Sequence, residues 1–165
     1  MKHEQLIREI EQIRQSLIRT INSRFSELVS SIEILDGDRY LKGVERTVPL
    51  ASDPGIFNKE KPSAIIIGNE RIVAPTWKSV YLKLLSRLCN DPSYYERLLE
   101  LRGVSVGRGR SYLSGEKEGM THPKKIADGL YAETHYSSSQ LMRILVQRIM
   151  DVIQYDYTNI SIAMR

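Results

Sequence analysis

The sequence predicts an α+β protein: a long, coiled-coil-like N-terminal helix followed by a small mixed sheet with helices packed on one face. Three observations carry that reading. Apolar residues recur every three or four positions from residue 6 to residue 35, with no proline or glycine before Gly37. From residue 63 onward, β-branched runs bounded by turn residues alternate with amphipathic stretches. The chain has 165 residues, 41% hydrophobic and 27% charged, enough for one buried core plus an appendage and unlike a disordered composition.

Residues 1–35 read as a helical assembly arm. Its apolar positions are Leu6, Ile10, Ile13, Leu17, Ile21, Phe25, Leu28, Ile32 and Leu35, in steps of three and four. That is a heptad seam with one stutter between Leu17 and Phe25, where the stripe drifts and supercoiling relaxes. Ile7, Ile18 and Val29 widen it. A helix over 3–35 extends about 50 Å at 1.5 Å per residue. Such a stripe needs an apolar partner: a second copy, a larger effector protein, or the chain's own domain.

Residues 36–62 break the pattern and read as a linker, or as a strap lying on the next domain. Asp36-Gly37-Asp38 stops the helix, and Asp53-Pro54-Gly55 and Lys61-Pro62 punctuate the rest of the segment. The piece from Val44 to Leu50 allows one short strand.

Residues 63–165 read as a compact α+β domain. Ala64 to Ile67, the turn Gly68-Asn69, and Arg71 to Ala74 form a hairpin signature. Thr76 is placed to cap a helix whose apolar face holds Trp77, Val80, Tyr81, Leu84, Leu85 and Leu88. Asp91 and Pro92 open a second helix, which carries Tyr95, Leu98 and Leu99 and stops at Gly103. Residues 103–119 are rich in Gly and Ser, with short β signals at Val104, Val106, Tyr112 and Leu113. Residues 130–136 alternate as a strand, the serines at 137–139 supply a cap, and a helix with Leu141, Ile144, Leu145, Ile149, Val152 and Ile153 on one face comes next. Residues 159–163 close the chain as a strand. The expected order is β-β-α-α-β-β-α-β.

No apolar run approaches the roughly 18 residues of a membrane span, and the charged start has no apolar core of a secretory signal. The lone Cys89 cannot form an internal disulfide, and a cytoplasmic protein is expected. Net charge is +4, and its placement says more than its size. Residues 1–62 hold ten basic and ten acidic side chains, whereas 102–125 hold Arg102, Arg108, Arg110, Lys117, Lys124 and Lys125 against Glu116 and Glu118. These six are the candidate nucleic-acid-binding residues. Arginines between glycines at 107–110 suit phosphate contact, with DNA and RNA equally open. The bland reading is a solvated loop or a protein contact.

The remaining chemistry is sparse. His3, His122 and His135 have no ligand spacing and Cys89 has no cysteine partner, so neither a metal nor a cofactor is expected. His135 falls two residues from Glu133, on the same side of a strand, where a surface contact outweighs an acid–base dyad. Cys89 beside Leu85 and Leu88 reads as a structural thiol. The loop 103–110 lacks the spacing of a nucleotide-binding loop. Tyr112 is either a base-stacking residue or part of the core. Trp77 reads as core, with its indole N–H on a carbonyl. No catalytic residue is singled out.

Two stretches carry a family resemblance. Residues 68–77 (GNERIVAPTW), with an amphipathic helix after them, are one. Pro123-Lys124-Lys125-Ile126 leading into 129–138 (GLYAETHYSS), and then a helix and strand, are the other. Together, over about 63–165, they resemble a small accessory domain of uncharacterised bacterial proteins found in restriction, phage-defence and mobile-element settings. The resemblance implies a binding or regulatory role without catalytic residues, and it leaves the N-terminal arm outside. The expectation is therefore an accessory subunit that assembles through its arm. The alternatives are a dimeric DNA-binding or antitoxin-like regulator, against which the lack of a helix-turn-helix counts, and a small nuclease.

Overall fold

The computed structural model describes residues 2–35, 45–105 and 110–165, with side chains in the first segment from 5 to 28. The helix stop at 36–38, Val44, Val106, Arg108 and the side chain of Ile32 lie outside that description. The class is α+β, with a long N-terminal helix followed by small antiparallel sheets and helices.

Helix α1 runs Lys2–Leu35. After it come β1 (Arg46–Pro49), a 3₁₀ turn (Pro54–Asn58), and the hairpin β2 (Pro62–Ile67) and β3 (Glu70–Val73). Helices α2 (Trp77–Cys89) and α3 (Pro92–Glu100) precede β4 (Leu113–Ser114), β5 (Pro123–Ala127) and β6 (Leu130–Glu133). Helix α4 (Ser138–Arg143) continues into a π-helical segment (Ile144–Met150), and β7 (Ile160–Met164) ends the order. Residues 45–62, read as linker or strap, thus supply a strand and a 3₁₀ turn, and they bury Leu50 and Phe57 fully.

The strands form two antiparallel sheets where one mixed sheet is expected from the sequence. The first has the order β1-β7-β2-β3, and the second β4-β6-β5. In the first, β7 lies between β1 and β2, with Ile162 opposite both Val48 and Ile65. The second exists because Pro123–Ala127 is a strand, paired with β6 across Asp128-Gly129, where Gly129 takes φ +62°. A two-residue turn with glycine in the left-handed region is a strong hairpin device. From sequence, Pro123 and Asp128-Gly129 read only as a lead into β6. Strand β6 is also shorter than its alternating pattern, ending at Glu133 rather than residue 136.

Helix α2 is the centre of the domain. Its face of Trp77, Val80, Tyr81, Leu84, Leu85 and Leu88 is buried, and it touches β2, β5, α3 and α4. Thr76 and Ser79 form a reciprocal cap at its start, and Ser137 with Gln140 repeats that arrangement on α4. Asp91 caps α3, with Pro92 in its first turn. Trp77 packs on Phe57 with ring centroids 5.0 Å apart, and its Nε1–H donates to Glu60 O at 3.1 Å. Tyr112 is buried and donates to Arg148 O, so its ring is core and is not presented for stacking on a base.

Candidate functional site

Helix α1 has two faces of opposite character, and the polar one rests on the domain. Gln15 is buried, Ile18 packs against the core, and Arg19 pairs with Asp151 at 3.0 Å. Ser26 Oγ lies 3.3 Å from Ser52 Oγ. Asp151 comes directly after the π-helical segment, whose i to i+5 bonding is visible in Asp151 N–H to Val146 O at 2.9 Å. The same carboxylate accepts the Tyr157 hydroxyl at 2.7 Å. Burial, together with that bond, pushes the Tyr157 phenol up from its ordinary range. A polar groove of about 360 Å³, lined by Ser16, Arg19, Thr20, Ser23, Ser52, Asp53 and Gln147, runs beside these contacts. The helix is thus held by a few polar contacts and one isoleucine.

The apolar face points away. Leu6, Ile7, Ile10, Ile13, Leu17, Ile21, Phe25 and Leu28 are each between 53% and 67% exposed. Seven of these are seam residues of the predicted heptad. Elsewhere among the described residues, the large exposed apolar side chains are the single valines Val73, Val104 and Val152. Isolated cases need no explanation, whereas a continuous apolar stripe marks an interaction surface. Removing the exposed half of each side chain from water is worth on the order of 1 kcal/mol. Eight of them together rival the estimated cost of association, about 4–15 kcal/mol.

The basic candidates are spread over several elements. Arg102 donates from Nε to Leu99 O at 2.9 Å and lies against Gly115. Arg110 sits near Tyr136, whose phenol is raised by burial and lowered in part by that guanidinium. Lys117 and Lys124 are exposed. Lys125 pairs with Asp128 at 3.0 Å, and that bond raises its ammonium pKa. Lys124 and Lys125 are successive residues of β5 and so face opposite sides of it. Arg108 lies outside the described residues.

Polar side chains near the basic segment are occupied by the fold. Glu133 is fully buried and accepts backbone N–H groups from Thr121, His122 (2.9 Å), Thr134 (2.9 Å) and His135 (2.8 Å). Burial alone raises its pKa, but the four donors outweigh it and hold the carboxyl below the ordinary range. Its link to His135 is therefore through the backbone. The His135 ring instead meets His122, Nδ1 to Nδ1 at 2.9 Å. Burial pushes the Cys89 thiol up to about 11, so it is protonated near neutral pH. Among the described residues no three His, Cys, Asp or Glu side chains converge as metal ligands, and no helix is long and apolar enough to cross a membrane.

No known family, curated protein or solved structure matches this chain.

The docking face escapes the sequence reading. Glu11, Gln15 and Arg19 form a polar line at steps of four on the side opposite the seam. That regularity is the signal that could have found it.

Proposed function

We propose that this protein is a non-catalytic accessory or regulatory subunit. It assembles through the outward seam of α1, and its domain turns a basic segment toward nucleic acid or a larger effector. The observation that carries this reading is the orientation of α1: the polar face lies on the domain, and the apolar heptad seam is left open. Arg102, Arg110, Lys117 and Lys124 are the described residues that support the phosphate-directed charge, Lys125 being paired with Asp128. Cys89 and Glu133, the side chains best suited to chemistry on paper, are held protonated and fully hydrogen-bonded respectively. The bacterial defence or mobile-element setting comes from the resemblance of residues 63–165, and the cytoplasmic one from the lone Cys89.

The test is a tagged pull-down from the native host, with and without nuclease, using wild type and Ile13→Asp/Leu28→Asp. A larger protein retained after nuclease, and lost from the double variant, is the expected result for an accessory subunit. Partners that vanish with nuclease and are indifferent to the seam would move the function to nucleic acid binding by the domain. In that event Arg102→Ala/Arg110→Ala should weaken binding and flatten its dependence on salt.

A further inference from the structure

His122 and His135 are 13 positions apart in sequence, and the β5–β6 hairpin brings them together. Pro123 pairs with Glu133 at the end of that hairpin, so the two histidines leave it side by side. Both are exposed, and their Nδ1 atoms stand 2.9 Å apart. Spacing along the sequence gives no hint of a ligand pair; the hairpin supplies it.

The main chain beneath the two rings is fixed. Glu133 Oε1 accepts the N–H of His122 at 2.9 Å and that of His135 at 2.8 Å. His122 O in turn accepts Thr134 N–H at 3.2 Å and the Thr134 hydroxyl at 2.8 Å. Glu133 and Thr134 are both buried, so the core of the domain holds the backbone from which the rings project. The Glu133 carboxylate also puts a negative charge behind the pair, which favours a cation in front.

The rings themselves are not set for a good hydrogen bond, which prefers a line straighter than about 150°. Each ring nitrogen lies about 1.1 Å from its ring centre, so a straight bond at this separation would put the centroids about 5.2 Å apart. They are 4.6 Å apart, with the rings tilted by 42°. The ring axes are therefore bent away from the line between the nitrogens. Two imidazoles bound to one metal ion at about 2.05 Å and at a right angle have nitrogens about 2.9 Å and centroids about 4.5 Å apart. Both separations agree with those of His122 and His135.

We infer that His122 and His135 form a two-imidazole chelate for a divalent first-row transition ion, with Cu(II) the preferred occupant. Tetrahedral zinc at the same bond length spreads its nitrogens to about 3.3 Å, and a structural zinc site needs four ligands. Right-angle nitrogen ligands suit Cu(II), which also stands highest in affinity among these ions. Water fills the remaining positions. The site does not depend on the assembly reading of α1.

Cu(II) titration tests this on the full chain carrying His3→Ala and Cys89→Ser, which removes the third histidine and the lone thiol. Calorimetry should give one Cu(II) per chain. The electron paramagnetic resonance spectrum should show coupling to two nitrogens, and the unfolding midpoint should rise with Cu(II). His122→Ala and His135→Ala should each weaken Cu(II) binding about tenfold or more and abolish that rise. The metal-free midpoint should move little, because both rings are exposed. His122→Gln keeps a hydrogen-bonding side chain beside His135 but removes one imidazole, and it should lose Cu(II) equally. Binding that survives in both Ala variants would place the ion elsewhere and overturn the site. Loss in only one of them would reduce it to a single imidazole and overturn the chelate. No saturable binding by the parent chain overturns it as well, leaving the pair a bent hydrogen bond.

Discussion

Helices α1 and α2 both place apolar side chains at steps of three and four along one face. In α2 those side chains are buried against two sheets and two helices. In α1 they face outward, and a polar line of Gln15, Arg19 and Ser26 makes the contact with the domain. The same periodicity therefore serves two ends, and what separates them is the opposite face. The back of α2 is exposed lysine and arginine with half-buried serines, whereas the back of α1 finds Asp151 and Ser52. An amphipathic helix whose polar side is already bound within its own chain has its apolar side free for another.

The largest expected difference between the two stripes is in stability. Leu85→Ala, in α2, should cost about 2–5 kcal/mol in denaturant unfolding. Ile13→Ala, in α1, should change the stability of the dissociated protein by less than about 0.5 kcal/mol. Equal losses at low concentration would mean that the α1 seam is covered by its own chain after all.

Next in size is Glu133, the polar counterpart of the buried stripe. Glu133→Gln should cost about 1–3 kcal/mol, because four backbone donors lose their charged acceptor. The folded pKa of Glu133 lies below its unfolded value. Its stabilisation is therefore complete above the ordinary carboxylate range and is lost as pH falls through that range toward the depressed folded value. Acid unfolding of the wild type should show this loss, and the Gln variant should show it less.

Smaller still, Thr76→Ala should remove about 1 kcal/mol by uncapping α2, read as a shift in the unfolding midpoint. The smallest effect belongs to the arm. Arg19→Ala breaks a partly exposed pair with Asp151 and should cost no more than about 1 kcal/mol. It should instead speed amide exchange in α1 while α2 is unchanged; uniform exchange across both would show that the arm and the domain open as one unit.

The elements legible in the sequence are those with a local cause. Thr76, Asp91 and Ser137 are caps written in three or four residues, and the α2 face is written in six. The arm is legible for the same reason. The split into two sheets is not, because pairing Val48 and Ile65 with Ile162 depends on residues far apart in sequence. Strand β5 is hidden by its composition: Pro123, Lys124 and Lys125 look like a strap, and only the Asp128-Gly129 turn betrays the hairpin. At the candidate site, the seam can be read but its direction cannot. Direction depends on Asp151, which is 132 positions after Arg19 and is placed by a π-helical segment that periodicity does not foresee.

The position of β7 has a consequence for how the chain acquires its shape during synthesis. It is the last strand in sequence order, yet it is the bridge between β1 and β2. Until Ile160–Met164 has left the ribosome, β1 has no neighbour and one edge of β2 stays unpaired. Closure of that sheet is therefore a late event joining distant parts of the chain, the kind of step that slows folding and leaves sticky intermediates. A ribosome stalled before codon 160 should carry a nascent chain with a formed α1 and an open sheet. Its seam would then be available to a neighbouring nascent chain before its own core is complete.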